Sequence, residues 1–351
     1  MAPIDRAFNA IRERCRLALR IKFQRGVVYQ AEPLLAEEFR LIQHHRFEEA
    51  LVQIVEFGDQ LRQHGHAFHV IGSGGSSVIL FLLGISEVDP VIFDTHFQRL
   101  WCTTSGEPPM VTFVVLPVEG DSWKEQPTFG FFTAHPMTAL ETLPELLDRQ
   151  FPDVSFCMND KAVFATIQAG DTEGVFGLDS EPVRSLLTQV RPSRIKSLAT
   201  VTALAHIAHH HPKVVSDFLN ILDERANDRT KNLPGHRNTG QRLPILFQEV
   251  IMSQLHRKLR IPWDKTYRTV QMAAKRKAES LEQLCGTLGL AEESEDGELL
   301  EHLIEASTWA VCRAHHAANA ITSYRAACYR TFHRQAFEDT LQAVLQQEQV
   351  T

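Results

Sequence analysis

The chain has 351 residues, 44% hydrophobic and 23% charged, with 43 acidic against 36 basic side chains and a net charge of −7. This is the composition of a globular protein long enough to bury a large core and to form two domains. No apolar run is long enough to span a bilayer, and the N-terminal residues carry charge where a secretory signal needs an apolar stretch, so a cytoplasmic protein with no membrane partner is expected. The six cysteines, Cys15, Cys102, Cys157, Cys285, Cys312 and Cys328, are scattered and form no Cys-x-x-Cys pair, so neither a zinc ribbon nor a disulfide framework is suggested; they are expected to be buried thiols.

Residues 1 to 66 repeat apolar positions every three to four residues, among them Phe39, Ile42, Phe47, Ala50, Leu51, Ile54 and Val55, and predict helices. "AFHVI" then reads as a strand, "GSGGSS" as a turn, and "SSVILFLLGI" as a buried helix. Such a turn before a helix exposes backbone N–H groups at a partially positive helix start, which suits a phosphate. It lacks the Gly-Lys-Ser/Thr ending of a nucleotide-binding loop and the Gly-x-Gly-x-x-Gly dinucleotide fingerprint, so a tight structural turn remains the competing reading.

"MVTFVVLPV" (110 to 118) and "QPTFGFFTA" (126 to 134) predict two more strands, and from residue 136 the pattern is helical apart from "QAGDTEGVFGLDS". Trp101, Phe113, Phe129, Phe131 and Phe132 lie in or beside these apolar strands and are expected in the core. Between Arg225 and Lys277 thirteen Lys or Arg face three acids, a block fit to neutralise a phosphate backbone. The next thirty residues are acidic and contain no Lys or Arg, so the two stretches could also pair with each other. The histidines of "HGHAFH" (64 to 69) and "AHIAHHHP" (205 to 212), including His206, His209 and His210, have no neighbouring acid or cysteine; they are expected at the surface or at helix ends, with no metal.

Four stretches in order carry a resemblance. The first is Leu83-Gly84-Ile85-Ser86-Glu87-Val88-Asp89-Pro90 with Phe97-Gln98-Arg99-Leu100-Trp101. The second holds Gly170, Asp171, Thr172, Gly174, Val175, Phe176 and Ser180. The third is "LFQEVIM" (246 to 252) around Phe247, and the fourth runs through Arg313, His315, Asn319, Ser323 and Tyr324. Together they resemble the palm, thumb and fingers of bacterial DNA polymerase III α subunits, the C-family replicative polymerases. The resemblance implies an α/β region followed by a mainly α one: a polymerase-β-like palm and a helical fingers-like domain. The expected boundaries are a helical lead-in over 1–64, a palm and thumb-like α/β region over 65–190 and a fingers-like domain over 191–351.

By that resemblance the loop residues Gly72, Ser73, Ser76 and Ser77, with Arg313 and His315, would meet a nucleotide or phosphate. Ile71 stands where the family has a phosphate-contacting arginine. Arg257, Lys258, Arg260, Arg268, Lys275, Arg276 and Lys277 would contact DNA. The family holds two divalent ions on three aspartates; the corresponding positions read Met110, Thr112 and Gly130, so no catalytic residue and no cofactor is expected, with magnesium only if a site survives. The nearest acids, Glu107, Glu119, Asp121 and Glu125, flank the strands. The reading is a catalytically inactive relative that binds DNA, as primer-template or single strand, or replication and repair proteins. Two alternatives stay open: an active nucleotidyltransferase with substitute or partner-supplied carboxylates, and an α/β protein that binds a small phosphorylated ligand at "GSGGSS".

Overall fold

The computed structural model describes residues 3–23, 25–102, 109–116, 130–227, 243–275, 285–286, 289 and 293–348. Three helices lead the chain: α1 (Pro3–Lys22), α2 (Arg25–His45) and α3 (Glu48–Gln63). Their apolar repeats face one another, with Phe8, Ile11, Cys15 and Leu19 of α1 and Leu51, Ile54, Val55 and Phe57 of α3 in one buried cluster. The strand β1 (Phe68–Ile71), a 3₁₀ turn over Gly72–Ser76 and the short helix α4 (Val78–Leu82) follow. The expected long helix over "SSVILFLLGI" is therefore only five residues, because the turn takes Ser76 and Ser77 serves as the helix cap. Two further single-turn helices, α5 (Pro90–Phe93) and α6 (Gln98–Trp101), lead to the remaining strands.

Those strands are β2 (Val111–Val115) and β3 (Phe132–Pro136). The sheet has the order β1-β2-β3, antiparallel between β1 and β2 and parallel between β2 and β3. Val70, Val111, Phe113, Val115 and Phe132 join the cluster formed by the lead-in helices, where the Phe57 ring stacks on Phe132 at 4.1 Å and meets Phe113 edge-on at 5.0 Å. The strand expected over 126–134 is found over Phe132–Pro136 and ends two residues later; Gly130 and Phe131 form a turn, and 126–129, with Phe129, fall outside the described residues. Trp101, Phe113 and Phe132 are buried and Phe131 is half-buried.

The rest is helical: α7 (Ala139–Gln150), α8 (Lys161–Gln168), α9 (Glu181–Val190), α10 (Ile195–Ala208), α11 (Pro212–Asn227), α12 (Gln248–Arg257), α13 (Trp263–Lys275), α14 (Glu295–Ser307), α15 (Arg313–Phe332) and α16 (Arg334–Glu348). The described residues are thus mainly helical with one small sheet. The boundary expected at residue 190 does not separate two cores: Phe164, Ile167 and Leu187 before it pack in the same cluster as Leu198 and Leu204 after it, together with Ile321, Tyr324 and Phe337 of the last two helices. Between these, Ile251, Met252, Leu255, Val270, Leu300 and Leu303 build a separate core from α12, α13 and α14.

Helix α15 is the spine of the larger core and buries residues along its whole length. Tyr324 Oη accepts from the Asp160 N–H at 2.7 Å and donates to the Cys157 carbonyl at 2.8 Å, and Ser323 Oγ donates to the Phe176 carbonyl at 2.7 Å. Arg330 donates to Asp171 Oδ1 and to the Glu173 carbonyl, fastening the 170–180 loop to the helix. Arg325 pairs with Glu145 at 2.6 Å and with Asp148 on α7; burial opposes its charge, but these acids and Glu87 hold its pKa above the ordinary value. Two motifs of the sequence reading, Gly170 to Ser180 and Ser323-Tyr324, are therefore one docking arrangement.

Gly174 in that loop has φ +72, and a Cβ there would collide with Leu341 of α16. The backbone conformation and the contact both demand glycine. Gly174→Ala is expected to lower stability by about 2 kcal/mol in urea unfolding, with the cost falling on the α16 contact.

Candidate functional site

The glycine loop sits between β1, β2 and the start of α15, and its glycines serve that packing. A Cβ on Gly74 would lie 2.7 Å from Val70 Cγ1 and 3.0 Å from Val111 Cγ1. One on Gly75 would lie 3.3 Å from the Cβ of Ala314, its carbonyl oxygen and Val88 Cγ2. Gly72 opens the turn with φ +70 and open space around its Cα. The fold thus brings the loop and the Arg313-to-His315 segment together, as the sequence reading grouped them.

Their polar groups, however, are turned inward. Ser76 is fully buried and its Oγ donates to the Ser73 carbonyl at 2.5 Å. Ser77, also fully buried, donates through Oγ to Glu38 Oε1 at 2.6 Å and accepts from the Leu80 N–H as the cap of α4. Glu38 reaches in from α2 and takes two further donors, Trp101 Nε1 at 2.7 Å and the Ile79 N–H at 3.1 Å. A buried carboxylate therefore occupies the helix start at which a phosphate was expected. Of the four loop residues assigned to phosphate, Ser76 and Ser77 are corrected to internal roles, because their hydroxyls are committed and inaccessible; Gly72 and Ser73 stay partly exposed.

The same device recurs at α15. The Arg313 N–H donates to both oxygens of buried Glu249, each at 3.0 Å, so this helix start is also filled by an internal carboxylate. The Arg313 side chain turns away from the loop: Nη1 donates to the Asp94 carbonyl at 2.8 Å, to Asp94 Oδ2 at 3.0 Å and to the Phe93 carbonyl at 3.2 Å, and the guanidinium lies 4.9 Å from the Phe247 ring. His315 is half-buried, its Nε2 3.4 Å from Asn319 Nδ2, and burial beside His206 lowers its pKa. Phe247 pairs with Val311 in a parallel bridge, and Gln248 accepts from Arg99 at 3.0 Å and donates to the Ala310 carbonyl at 3.0 Å. "FQE" (247 to 249) thus joins the α12–α14 core to the sheet side. Asp89 caps α5 by accepting from the Val91 and Ile92 N–H groups at 2.8 and 2.9 Å, which explains Asp89-Pro90 as a helix start.

Met110, just ahead of β2, and Thr112 point to the sheet face opposite Val111 and Phe113. Thr112 pairs with Thr133, whose Oγ1 is 3.3 Å from Thr112 Oγ1, and the Val111 N–H donates to the Phe131 carbonyl. The third position of this face is therefore Phe131 or Thr133, and Gly130, the position read from sequence, lies in the turn before the strand. None of these residues offers a carboxylate. Glu107, Glu119, Asp121 and Glu125 lie outside the described residues. Among the described residues no group of three or more His, Cys, Asp or Glu is placed to hold a metal ion.

Arg257, Lys258 and Arg260 are exposed around the turn from α12 to α13, and Arg268 is exposed on α13 beside Lys265. The Lys275 side chain, Arg276 and Lys277 lie outside the described residues. Trp263 stands at the same turn, stacked on His256 at 4.4 Å and 4.7 Å from His96, whose Nε2 lies 2.8 Å from Ser253 Oγ. His206, His209 and His210 are exposed, whereas His69 is buried on β1, its Nε2 3.7 Å from Glu141 Oε1, and so corrects the surface reading of that cluster. Burial alone would raise the Glu141 carboxyl, but the neighbouring His69 and the hydrogen bonds from Thr138 lower it. Cys15, Cys102, Cys285 and Cys328 are buried as expected, while Cys157 is exposed and Cys312 only partly covered, because neither lies on an inward helix face.

Glu38 and Glu249 escaped the sequence reading. The available signal for Glu38 was a lone acid between Leu35 and Ile42 on the buried stripe of α2. Burial pushes the Glu38 carboxyl up to about 7 against the pull of Ser77, Trp101, Ile79 and Val78. Its folded value exceeds the ordinary 4.5, so its contribution to stability is complete below that pH and is lost as pH rises through about 7, an effect of about 3 kcal/mol. Urea unfolding across that range should show this decline in the wild type and a flatter profile in Glu38→Gln.

Residues 9–109 match the model of the bacterial DNA polymerase III alpha NTPase domain, and residues 138–287 match that of the bacterial DNA polymerase III alpha subunit finger domain. The DNA polymerase III subunit alpha of one Helicobacter pylori strain is 30% identical over 96 residues, 26% of this chain and 8% of the relative. That of a second strain is 34% identical over 67 residues, 19% of this chain and 6% of the relative. The matches thus span less than a tenth of the length of these relatives. With two domain models of one subunit matched in order over more than two thirds of its length, the chain belongs to the bacterial DNA polymerase III alpha family.

Proposed function

We propose that this chain is a non-extending member of the family, a palm-like sheet with a fingers-like helical region that holds DNA through its phosphate backbone. The observation that carries the reading is the sheet face formed by Met110, Thr112, Phe131 and Thr133. Nucleotidyl transfer in this family implies a pair of magnesium ions, and hard cations require anionic oxygens on such a face. Two aliphatic or aromatic side chains and two threonines do not fit that pair.

The carboxylates at the starts of α4 and α15 support the same reading. A triphosphate approaching either helix would meet Glu38 or Glu249 in the place of its own charge. The cations of the turn from α12 to α13, Arg257, Lys258 and Arg260, with Lys265 and Arg268, remain exposed and suit phosphate contacts that carry no sequence preference. Replication and repair proteins are the fitting setting for such a chain.

The test is binding to a primed duplex across a salt series, with primer extension measured in magnesium and all four deoxynucleotides. Salt-sensitive binding without extension is expected, and Arg257→Glu with Lys258→Glu should weaken it and reduce the salt slope by about one per contact removed. Extension abolished by Glu107→Gln or Asp121→Asn would overturn the reading in favour of an enzyme.

A further inference from the structure

The most exposed large apolar side chains among the described residues are Ile21 at 83%, Tyr29 at 79% and Leu17 at 70%, while every other is below half exposed. All three flank the α1–α2 connection. On α1, Phe8, Ile11, Cys15 and Leu19 face the core. At 100° per residue Leu17 and Ile21 lie on the opposite side of the helix. Pro3, Ala10 and Leu17 recur at intervals of seven, with Ile21 one turn on, so α1 carries a second apolar stripe turned away from its own fold. Pro3 and Ala10 form its first half and line a shallow depression with Arg6 and with Ala7, which also packs against the core. Leu17 and Ile21, one turn apart and both well exposed, form an apolar cluster, and contiguous exposed apolar patches mark interaction sites.

The charges beside the stripe indicate what covers it. Between Pro3 and Lys22 the helix has six basic residues and two acidic ones, in a chain whose net charge is −7. Arg6 and Arg20 are exposed beside the stripe and form no ion pair among the described residues, whereas Arg14 is bound to Asp59 at 2.6 Å and Arg16 to Glu13 at 2.6 Å. A second copy paired about a two-fold axis would set arginine rows against each other. A phosphate backbone would leave Leu17 and Ile21 in water. We propose that the outer face of α1 docks an amphipathic helix of a partner protein, with an apolar stripe flanked by Asp and Glu. Pro3 to Ile21 spans about five turns, which sets the partner segment at about 18 residues.

The experiment displays a library of helix-forming peptides of about that length to the full chain. Enriched peptides should carry Leu, Ile or Phe every third or fourth position between Asp and Glu. Anisotropy of the best labelled peptide should show at least about tenfold weaker binding to the Leu17→Asp, Ile21→Asp double variant, and about tenfold weaker binding when its acids are changed to lysines. Both substituted positions are exposed, so an unchanged thermal melt confirms that the variant folds. No enrichment, enrichment of basic peptides, binding indifferent to the double variant, self-association of the chain lost in that variant, or DNA binding lost in it would each overturn the proposal.

Discussion

A helix of twenty residues buried along its length cannot leave its first amide groups to water, and Glu249 answers that constraint for α15. The carboxylate comes from α12, so the requirement of one helix end becomes a tether between two cores. Gln248 and Phe247 extend the tether to Arg99, Ala310 and Val311, and Arg313 continues it to Asp94. With its start held in this way, α15 presents Ser323, Tyr324, Arg325 and Arg330 to the 157–179 segment and α7. Much of what makes the family resemblance visible belongs to this network.

What could be read along the chain and what could not divide by range. The lead-in helices follow from their own apolar repeats, and Phe113 and Phe132 were placed in the core by local hydrophobicity alone. The shift of the last strand was not legible, because a parallel pair takes its register from partners distant in sequence; Thr112 opposite Thr133 is a tertiary fact. Nor did "GSGGSS" disclose that Glu38 would cap the following helix, since an acid in an otherwise apolar stripe names no partner. Packing across the expected boundary was not legible for the same reason: chain order does not disclose that α15 and α16 return to pack with α7 to α10.

The site reading was half legible. The loop and the start of α15 do lie together, with Ala314 against Gly75. Assigning their polar groups to a ligand required knowing which were already engaged, and Ser77, Glu38, Glu249 and Arg313 engage one another's neighbourhoods internally. Helix starts attract anions whatever the source, and a carboxylate from the chain itself satisfies them as a ligand would. Among the described residues the exposed cations at the turn from α12 to α13 have no such internal partner, and the proposed nucleic-acid contact rests on them.

Gly75 touches Ala314 and Val88 so closely that a methyl group would have to displace its neighbours. Three segments far apart in the chain therefore meet at one tightly packed point, where any side chain would have to push its neighbours aside. Packing alone thus accounts for Gly74 and Gly75, whether or not a ligand meets the loop. A run of small residues that reads as a place for phosphate is, at these two positions, also the imprint of a neighbouring strand and helix.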